Sequence, residues 1–390
     1  MKNKKIDLIL DKQKDHILKM RREFHRYPEK SWEEYRTSRR IKEELSEIGI
    51  DYKEYAETGV VGIIDGNGKG ATVALRADID ALEVEEKNEV EYKSQNEGIM
   101  HACGHDGHTA ILLGTARALH EMKDEFSGKV KLIFQPAEEK VQGAIEMVEA
   151  GVIDDVDGIM GIHLWNGIPT GKINVQPGPR MASSDSVKID FYGKGGHGSL
   201  PQQTVDPIVM ASSFIMESQA ILSRESDPLD PVVFTLGQVK SGTRFNIIPE
   251  KAHLEGTLRC FNQETRENSI AAIERYAQKI ASSYRGRVEV DIKKGTPPTI
   301  NEESCTEIGK NTAEGIVGPD NLVQMKKTTG SEDMAYYLQK VPGLIAFVGA
   351  GFAEDDKNFP HHHPKFDLNE DSLNIGLNLY VKFALDFLNQ

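Results

Sequence analysis

Apolar residues recur at helical spacing over the first forty-odd residues, with one break at Tyr27-Pro28 and an end at Gly49. The pattern then changes to short apolar runs at residues 60–64 and 72–76, which are separated by the turn sequence DGNG. We therefore expect a helical N-terminal segment that is followed by two strands around a turn.

Further apolar runs alternate with helical patterns in the following hundred residues. Strand-like runs occupy residues 130–134 and 159–163, and helical patterns occupy residues 109–119 and 143–150. This alternation is typical of a parallel or mixed α/β sheet. Sheets of this kind place their chemistry beyond the strand ends, so residues that follow these runs are candidates for function.

The segment of residues 184–295 has a different order of patterns. It predicts strand, helix, strand, strand, helix and strand, a ferredoxin-like module that can fold by itself. One more buried strand at 345–348 and an amphipathic helix at 373–388 return the chain to the larger domain. We therefore expect an α/β mixed-sheet catalytic domain made of residues 1–183 and 296–390, with an inserted α+β (βαββαβ) lid.

Length, charge and cysteine content narrow the class of protein. A chain of 390 residues exceeds what one hydrophobic core usually supports, which favours two domains. With 61 acidic against 47 basic residues, the net charge of -14 argues against a nucleic-acid surface. The first twenty residues lack the pattern of a signal peptide or membrane anchor, and three scattered cysteines fit a reducing compartment. We expect a cytoplasmic protein with a small-molecule partner and neither nucleic acid nor membrane.

Residues of metal-ligand type gather in four places, each at a predicted strand end or in a loop that opens a helix. They are residues 101–108 (HACGHDGH), residues 135–139 (QPAEE), His163 and residues 361–364 (HHHP). Any one of them alone is more often packing or solvated surface, but together they predict metal binding with enough ligands for two ions. Glu138 and Glu139 are adjacent, so one of them can bind metal while the other transfers a proton.

A glycine-rich turn at residues 193–198 (GKGGHG) matches the spacing of a dinucleotide-binding loop. A helix should open at such a loop, yet Pro201 and Pro207 delay it, and the strand order is not a Rossmann repeat. The glycines are better explained as letting His197 project from a turn as an oxyanion donor.

At these motifs the sequence resembles a family of metal-dependent amidohydrolases and metallopeptidases. The family includes aminoacylases, hippurate hydrolases, N-acetyldiaminopimelate deacetylases and auxin-amino-acid conjugate hydrolases. The resemblance runs nearly end to end. Its motifs are residues 21–25 (RREFH) with Pro28-Glu29, and residues 75–82 (LRADIDAL), 100–105 (MHACGH), 135–139 (QPAEE), 195–197 (GGH), 246–249 (NIIP) and 362–364 (HHP).

The resemblance implies a dinuclear metal centre, with Cys103 as the bridging ligand and Glu138 as the general base. The implied ligands are Cys103, His105, Glu139, His163 and His362. A bridging thiolate favours Zn, Co or Ni, and the other ligands also accept Mn. The resemblance further implies that Asn246 and Arg259 bind the free carboxylate of the substrate, because an arginine fork meets both carboxylate oxygens. We expect a homodimer or homotetramer, in which His197 acts within its own chain or from a partner subunit.

Two positions depart from the wider superfamily, which has an aspartate in place of Cys103 and a metal-binding histidine in place of Arg76. Arg76 cannot be a ligand, so we expect His105 to fill the vacancy. Asp78 either orients a ligand from behind or has a plain structural role. His25, on a helix before a proline, is expected to be a hydrogen-bonded structural histidine.

The favoured function is hydrolysis of the amide bond of N-acyl-L-amino acids. The alternatives are N-acetyldiaminopimelate deacetylation, carboxypeptidase activity on small peptides, a non-catalytic metal or amino-acid binding protein, and a nucleotide-dependent oxidoreductase. Glu138 beside Glu139 argues against a pure binding protein, because binding requires only the ligand. Residues 330–333 (GSED) precede a helical pattern and predict a helix cap, with contact to the acyl group as the alternative.

Overall fold

The structure is a computed structural model that describes residues 2–390, with side chains from residue 4 onward. Ten α-helices lie within these residues: α1 (Lys2–Asp11), α2 (Lys14–Arg26), α3 (Tyr35–Ile48), α4 (His105–Glu121), α5 (Gly143–Glu149), α6 (Pro207–Glu217), α7 (Gln263–Ser283), α8 (Glu303–Val317), α9 (Ala335–Leu338) and α10 (Asp371–Leu388). Short 3-10 helices occupy Lys123–Glu125, Pro201–Gln203, Pro319–Asn321 and Asp355–Lys357, and a π turn occupies Ile221–Glu225.

Fifteen β-strands lie within the same described residues. They are β1 (Asp51–Tyr55), β2 (Gly59–Asp65), β3 (Thr72–Asp78), β4 (Lys129–Gln135), β5 (Gly158–Pro169), β6 (Ile173–Asn174), β7 (Gly178–Met181), β8 (Asp185–Tyr192), β9 (Gly196–His197), β10 (Val232–Ser241), β11 (Ile247–Ile248), β12 (Lys251–Cys260), β13 (Arg287–Lys294), β14 (Thr299–Asn301) and β15 (Gly343–Gly351). None of the described helices combines the length and apolar character that a membrane crossing requires.

Two compact units make up the described chain. The first extends from its start to Gly178 and adds Asn301–Lys326 and Asp333–Gln390. The second contains Pro179–Ile300 and Lys327–Glu332.

The first unit is built on a seven-stranded mixed sheet in the order β1-β2-β4-β3-β5-β15-β6. The four strands β4, β3, β5 and β15 are parallel, and the flanking strands are antiparallel to their neighbours. The mixed α/β fold is therefore confirmed. The two strands predicted around the DGNG turn are present as β2 and β3, but they do not pair with each other, because β4 lies between them and pairs with both. Every residue of β3 is buried, as helices on a parallel sheet require.

Helices α4 and α10 form the centre of the helical packing around this sheet. They contact each other, and both also contact α2 and β3. Leu112 of α4, Phe134 of β4 and Tyr380 of α10 are fully buried in one apolar core. The N-terminal helical pattern has two breaks rather than one, because α1 ends at Asp11 and α2 begins at Lys14. The sequence contains no proline or glycine there, so the pattern gave no signal for the first break.

The second unit confirms the predicted βαββαβ order. Its sheet runs β10-β12-β8-β13 with all neighbours antiparallel, the arrangement of a ferredoxin-like module. Residues of β8 alternate between buried and half-buried, so one face of the sheet carries the core. That core includes Phe191, Phe214 and Leu254, and α6 and α7 cover it. Strand β10 lies at the edge of the sheet.

Candidate metal centre

A cysteine and two histidines meet where the loop before α4 approaches β5. Gly104 has a φ of 88°, a left-handed conformation that glycine adopts without steric cost, and it lets the chain turn between Cys103 and His105. Cys103 Sγ lies 3.7 Å from Nε2 of His163 on β5. The possible ligand atoms of Cys103, His105 and His163 all lie within 4.8 Å of one another.

Cys103 belongs to a second group of possible ligands as well. Its thiol, the Glu139 carboxylate and the His362 imidazole also lie within 4.8 Å of one another, and His362 Nε2 is 3.6 Å from Glu139 Oε2. The His362 backbone N–H donates to the Ala102 carbonyl at 2.8 Å, which ties the two loops together. The five predicted ligands therefore converge as two groups that share one thiol, the arrangement that a bridging ligand requires.

His105 provides a test of whether these residues fit a metal. Its Nδ1 lies 3.0 Å from the Asp80 carbonyl oxygen, which can only accept, so Nδ1 carries the hydrogen in the neutral ring. The opposite atom, Nε2, is buried and has no hydrogen-bond partner among the described residues. The nearest carboxylate oxygens, Asp78 Oδ2 and Glu139 Oε1, lie at 3.7 and 3.9 Å. A buried nitrogen without a partner is costly, and a divalent cation would be a suitable partner, so the residues fit the metal.

The electrostatic environment of the cluster suits a cation. Burial, followed by the charge of Glu139, raises the pKa of the Cys103 thiol well above its usual range. Burial lowers the pKa of His163, and the neighbouring His108 lowers it further. Burial opposes charge on His105 too, but Asp78, Asp80 and Cys103 together outweigh it and raise the pKa of His105. Bound cations would favour the thiolate and displace the histidine proton, so metal binding should release protons.

Glu138 and Glu139 are oriented by a carboxylate that the sequence analysis did not identify. Asp80 accepts the backbone N–H of Glu138 at 3.1 Å and that of Glu139 at 3.0 Å, and the Ser31 hydroxyl donates to it at 2.7 Å. Glu138 is 8% exposed, and possible ligand atoms of His105, Glu138 and Glu139 lie within 4.8 Å of one another. Asp80 belongs to the LRADIDAL motif, which was the only signal in the sequence.

Asp78 lies beside the cluster without binding its predicted ligands directly. Its Oδ1 accepts from His108 Nδ1 at 2.6 Å, and its Oδ2 accepts from Arg76 at 2.8 Å. His108 Nε2 in turn accepts the Leu164 backbone N–H at 2.9 Å. Both ring nitrogens of His108 are thus engaged, so His108 is not a ligand. Despite burial, His105, His108 and Arg76 lower the pKa of Asp78, which is an anion.

His25 is hydrogen-bonded, as the sequence analysis expected. Its Nδ1 lies 2.8 Å from Asp106 Oδ2 and its Nε2 lies 3.1 Å from Glu86 Oε1. Arg21 also donates to Asp106 at 2.9 Å. This buried network binds the first turn of α4, directly after His105.

The predicted cap at residues 330–333 belongs to a different helix. Met334 directly precedes the one-turn helix α9. The Asp333 carboxylate instead accepts the backbone N–H of Ala144 at 3.0 Å, in the first turn of α5. The expectation was therefore wrong about which helix is capped. The buried Arg76 also donates to Asp333, so this carboxylate is held by tertiary contacts that local sequence does not reveal.

The remaining predicted residues lie in the second unit. His197 pairs with Ile247 across β9 and β11, and the Gly198 N–H donates to the Asn246 carbonyl at 2.9 Å. His197 is exposed, and its Nδ1 accepts the Ser199 backbone N–H at 3.1 Å, which leaves hydrogen on Nε2 as a donor. Arg259 on β12 is half-buried, and this burial lowers its pKa.

A comparison with known protein families shows which family the chain belongs to. The profile of Peptidase family M20/M25/M40 matches residues 74–386, which include all five predicted ligands. The chain belongs to this family. It is a metal-dependent amide hydrolase, and its metal-binding residues are candidates drawn from the clusters described above.

Two curated relatives and one solved structure match over most of their length. An IAA-amino acid hydrolase ILR1-like 4 from Arabidopsis thaliana is 40% identical over 379 residues, 96% of this chain and 86% of the relative. An N-acetyl-L-cysteine deacetylase from Bacillus subtilis is 39% identical over 358 residues, 92% of this chain and 84% of the relative. The Bacillus subtilis YXEP protein, described as a dinuclear metal binding peptidase, has a TM-score of 0.84 and 33% identity, covering 97% and 99% of the two chains.

Proposed function

We propose that this hydrolase cleaves the amide bond of N-acyl-L-amino acids at a centre of two divalent ions. The ligands are Cys103, His105, Glu139, His163 and His362. The observation that carries the proposal is that Cys103 belongs to both ligand groups while Glu138 lies beside them. The two curated relatives support the substrate class, since one is named a hydrolase of IAA-amino acids and the other a deacetylase of N-acetyl-L-cysteine.

The mechanism follows from the residues around this cluster. Two ions bound there would polarise a water molecule and the substrate carbonyl, and zinc, cobalt or nickel suit the thiolate better than manganese. Glu138 takes a proton from the attacking water on its carboxylate and delivers it to the departing amide nitrogen. Asp80 fixes the backbone of Glu138, and the Asp333 N–H lies 3.4 Å from Glu138 Oε1, so the carboxylate is restrained from two sides.

The second unit supplies the substrate contacts in this proposal. Arg259 binds the free carboxylate of the amino-acid half, with Asn246 beside it, because a planar guanidinium meets two carboxylate oxygens at once. His197 donates through Nε2–H to the carbonyl oxygen as it gains negative charge. The Ser199 backbone N–H donates to His197 Nδ1, which favours the tautomer with hydrogen on Nε2.

Residues 184–295 form the lid and dimerisation domain in this proposal. Edge strand β10 carries the exposed Val239, and helix α6 carries the exposed Ile208 and Val209. An unpaired edge strand can pair with the same strand of a second copy across a two-fold axis, so the partner is a second copy of this chain.

A pair of adjacent variants tests the catalytic assignment. Glu138→Gln should keep two metal ions per chain and lower kcat by about two to four orders of magnitude, because the proton acceptor is lost. Glu139→Gln, its matched neighbour, should instead lose metal. Turnover of N-acetyl, N-benzoyl and indole-3-acetyl amino acids, with metal content measured on the same samples, separates the two effects. Near wild-type activity of Glu138→Gln, or wild-type hydrolysis in the presence of a chelator, would contradict the proposal.

A further inference from the structure

A buried arginine lies directly behind the candidate metal centre. Arg76 on β3 is 1% exposed and donates three hydrogen bonds from its guanidinium group. Nη1 donates to Asp78 Oδ2 at 2.8 Å, Nε to Gln135 Oε1 at 2.8 Å and Nη2 to Asp333 Oδ1 at 2.6 Å. The three acceptors come from β3, from the end of β4 and from the loop before α9. A cation is buried at this cost only where it is well paired.

The first of these contacts leads to the metal ligands. Asp78 Oδ2 accepts from Arg76, and it lies 3.7 Å from the His105 Nε2 that faces the cluster. The Arg76 hydrogen bond holds Asp78 Oδ2 in place at this distance, which is too long for a hydrogen bond to His105. His105 Nε2 has no hydrogen-bond partner among the described residues, so a cation that displaces its proton can bind there, while Asp78 Oδ1 accepts from His108.

The other two contacts lead to Glu138. Gln135 immediately precedes the loop that carries Glu138, and its Nε2 donates to Asp333 Oδ2 at 2.9 Å. The Asp333 backbone N–H lies 3.4 Å from Glu138 Oε1. Arg76, Gln135 and Asp333 thus form a closed ring of hydrogen bonds, and one corner of that ring contacts the Glu138 carboxylate.

We propose that Arg76 is a positioning residue that sets the His105 side of the metal centre and the Glu138 carboxylate relative to each other. It acts through its hydrogen bonds to Asp78 and to Asp333. This role rests on the proposed function of the site. It adds the requirement that Arg76 hold the His105 side and the Glu138 carboxylate in their relative positions. A lysine cannot replace it, because one ammonium group cannot reach three acceptors in the plane of a guanidinium fork.

Arg76→Lys tests this role with cobalt(II) as the probe. The apparent Kd for cobalt should rise about 10- to 100-fold, which is the usual effect of losing a residue behind a metal ligand. The factor by which kcat of the cobalt-saturated enzyme falls should be at least as large as the factor by which KM changes. Arg266→Lys is the matched control, because Arg266 is equally buried and paired with Asp185 in the second unit. It should leave the cobalt Kd, the cobalt absorption spectrum and kcat unchanged.

Two further variants keep the test decisive if Arg76→Lys does not fold. Asp78→Asn should raise the cobalt Kd at least tenfold, and Asp333→Asn should lower kcat at least tenfold with the cobalt Kd within twofold of the wild type. Folded Arg76→Lys with both quantities within twofold of the wild type overturns the inference, as does an equal loss in Arg266→Lys. Wild-type protein that binds no cobalt contradicts the metal centre itself, so the two failures are distinguishable.

Discussion

Glu34 is a buried carboxyl group beneath the loop that carries Glu138. Its Oε1 accepts the backbone N–H of Ala137 at 2.9 Å, and its Oε2 accepts the Thr58 hydroxyl at 2.7 Å. Burial, followed by the negative charge of Asp80, raises the pKa of Glu34 from its ordinary value of 4.5 to about 7. The charged form of Glu34 therefore opposes folding.

The sign of the pH dependence follows from the direction of this shift. The unfolded chain loses the Glu34 proton near pH 4.5 and the folded protein near pH 7, so between these values the folded state binds more protons. The free energy of unfolding should therefore fall as pH rises from 4.5 to about 7. Each tenfold change in proton affinity is worth about 1.4 kcal/mol, so the full loss is about 3 kcal/mol.

Glu34→Gln removes this titration and keeps the hydrogen bonds. The amide oxygen can accept from Ala137, and the amide N–H can donate to the lone pairs of the Thr58 hydroxyl. Above pH 7 the variant should be more stable than the wild type by up to about 3 kcal/mol, with nearly equal stability at pH 4.5. Urea unfolding of both proteins in chelator, at several pH values, measures the difference.

Glu44→Gln is the matched control of opposite sign. Glu44 is 1% exposed, and although burial opposes its charge, His16 and Arg117 lower its pKa to about 2. Its charged form stabilises the fold above pH 4.5, so Glu44→Gln should be destabilised throughout the range from pH 5 to 8. Parallel stability curves for wild type and Glu34→Gln across that range would refute the reasoning about Glu34.

Two further predictions concern the second unit. Arg259→Ala should raise KM for substrates with a free carboxylate by tenfold or more and hardly affect their carboxamides, since a charge-assisted bidentate contact is lost; equal effects on both substrates would remove the carboxylate role. Val239→Lys should convert dimers to monomers in light scattering, because it places a charge on the edge strand, whereas Leu229→Lys at an 88% exposed loop position should not. A monomeric wild type would exclude this interface.

The convergence of the candidate ligand residues could be anticipated from the sequence because the family resemblance named them and several lie at predicted strand ends or in loops. One such residue, as at His163, is more often structural, but four groups of them in a chain with 3 cysteines and 12 histidines predict a metal site. Asp80 and Glu34 could not be predicted in the same way. Carboxylates are common, and these two act by accepting backbone N–H groups of Glu138 and Ala137, far away in the sequence.

Strand pairing shows the same limit on a larger scale. The patterns of β2 and β3 predicted two strands around a turn correctly, but they did not indicate which strand each would pair with. Strand β4, more than fifty residues later, pairs with both because its own apolar run can be buried only inside the sheet. Turn residues indicate where the chain reverses. Which strands pair depends on the whole apolar surface that must be covered.

The central claim is that one thiol joins two cation sites. Anomalous diffraction from crystals of the zinc-loaded wild-type protein measures this directly. We predict two peaks per chain, both about 2.3 Å from Cys103 Sγ, one also bonded to His163 and the other to Glu139 or His362. A single peak, or two peaks outside bonding distance of that sulfur, would contradict the account.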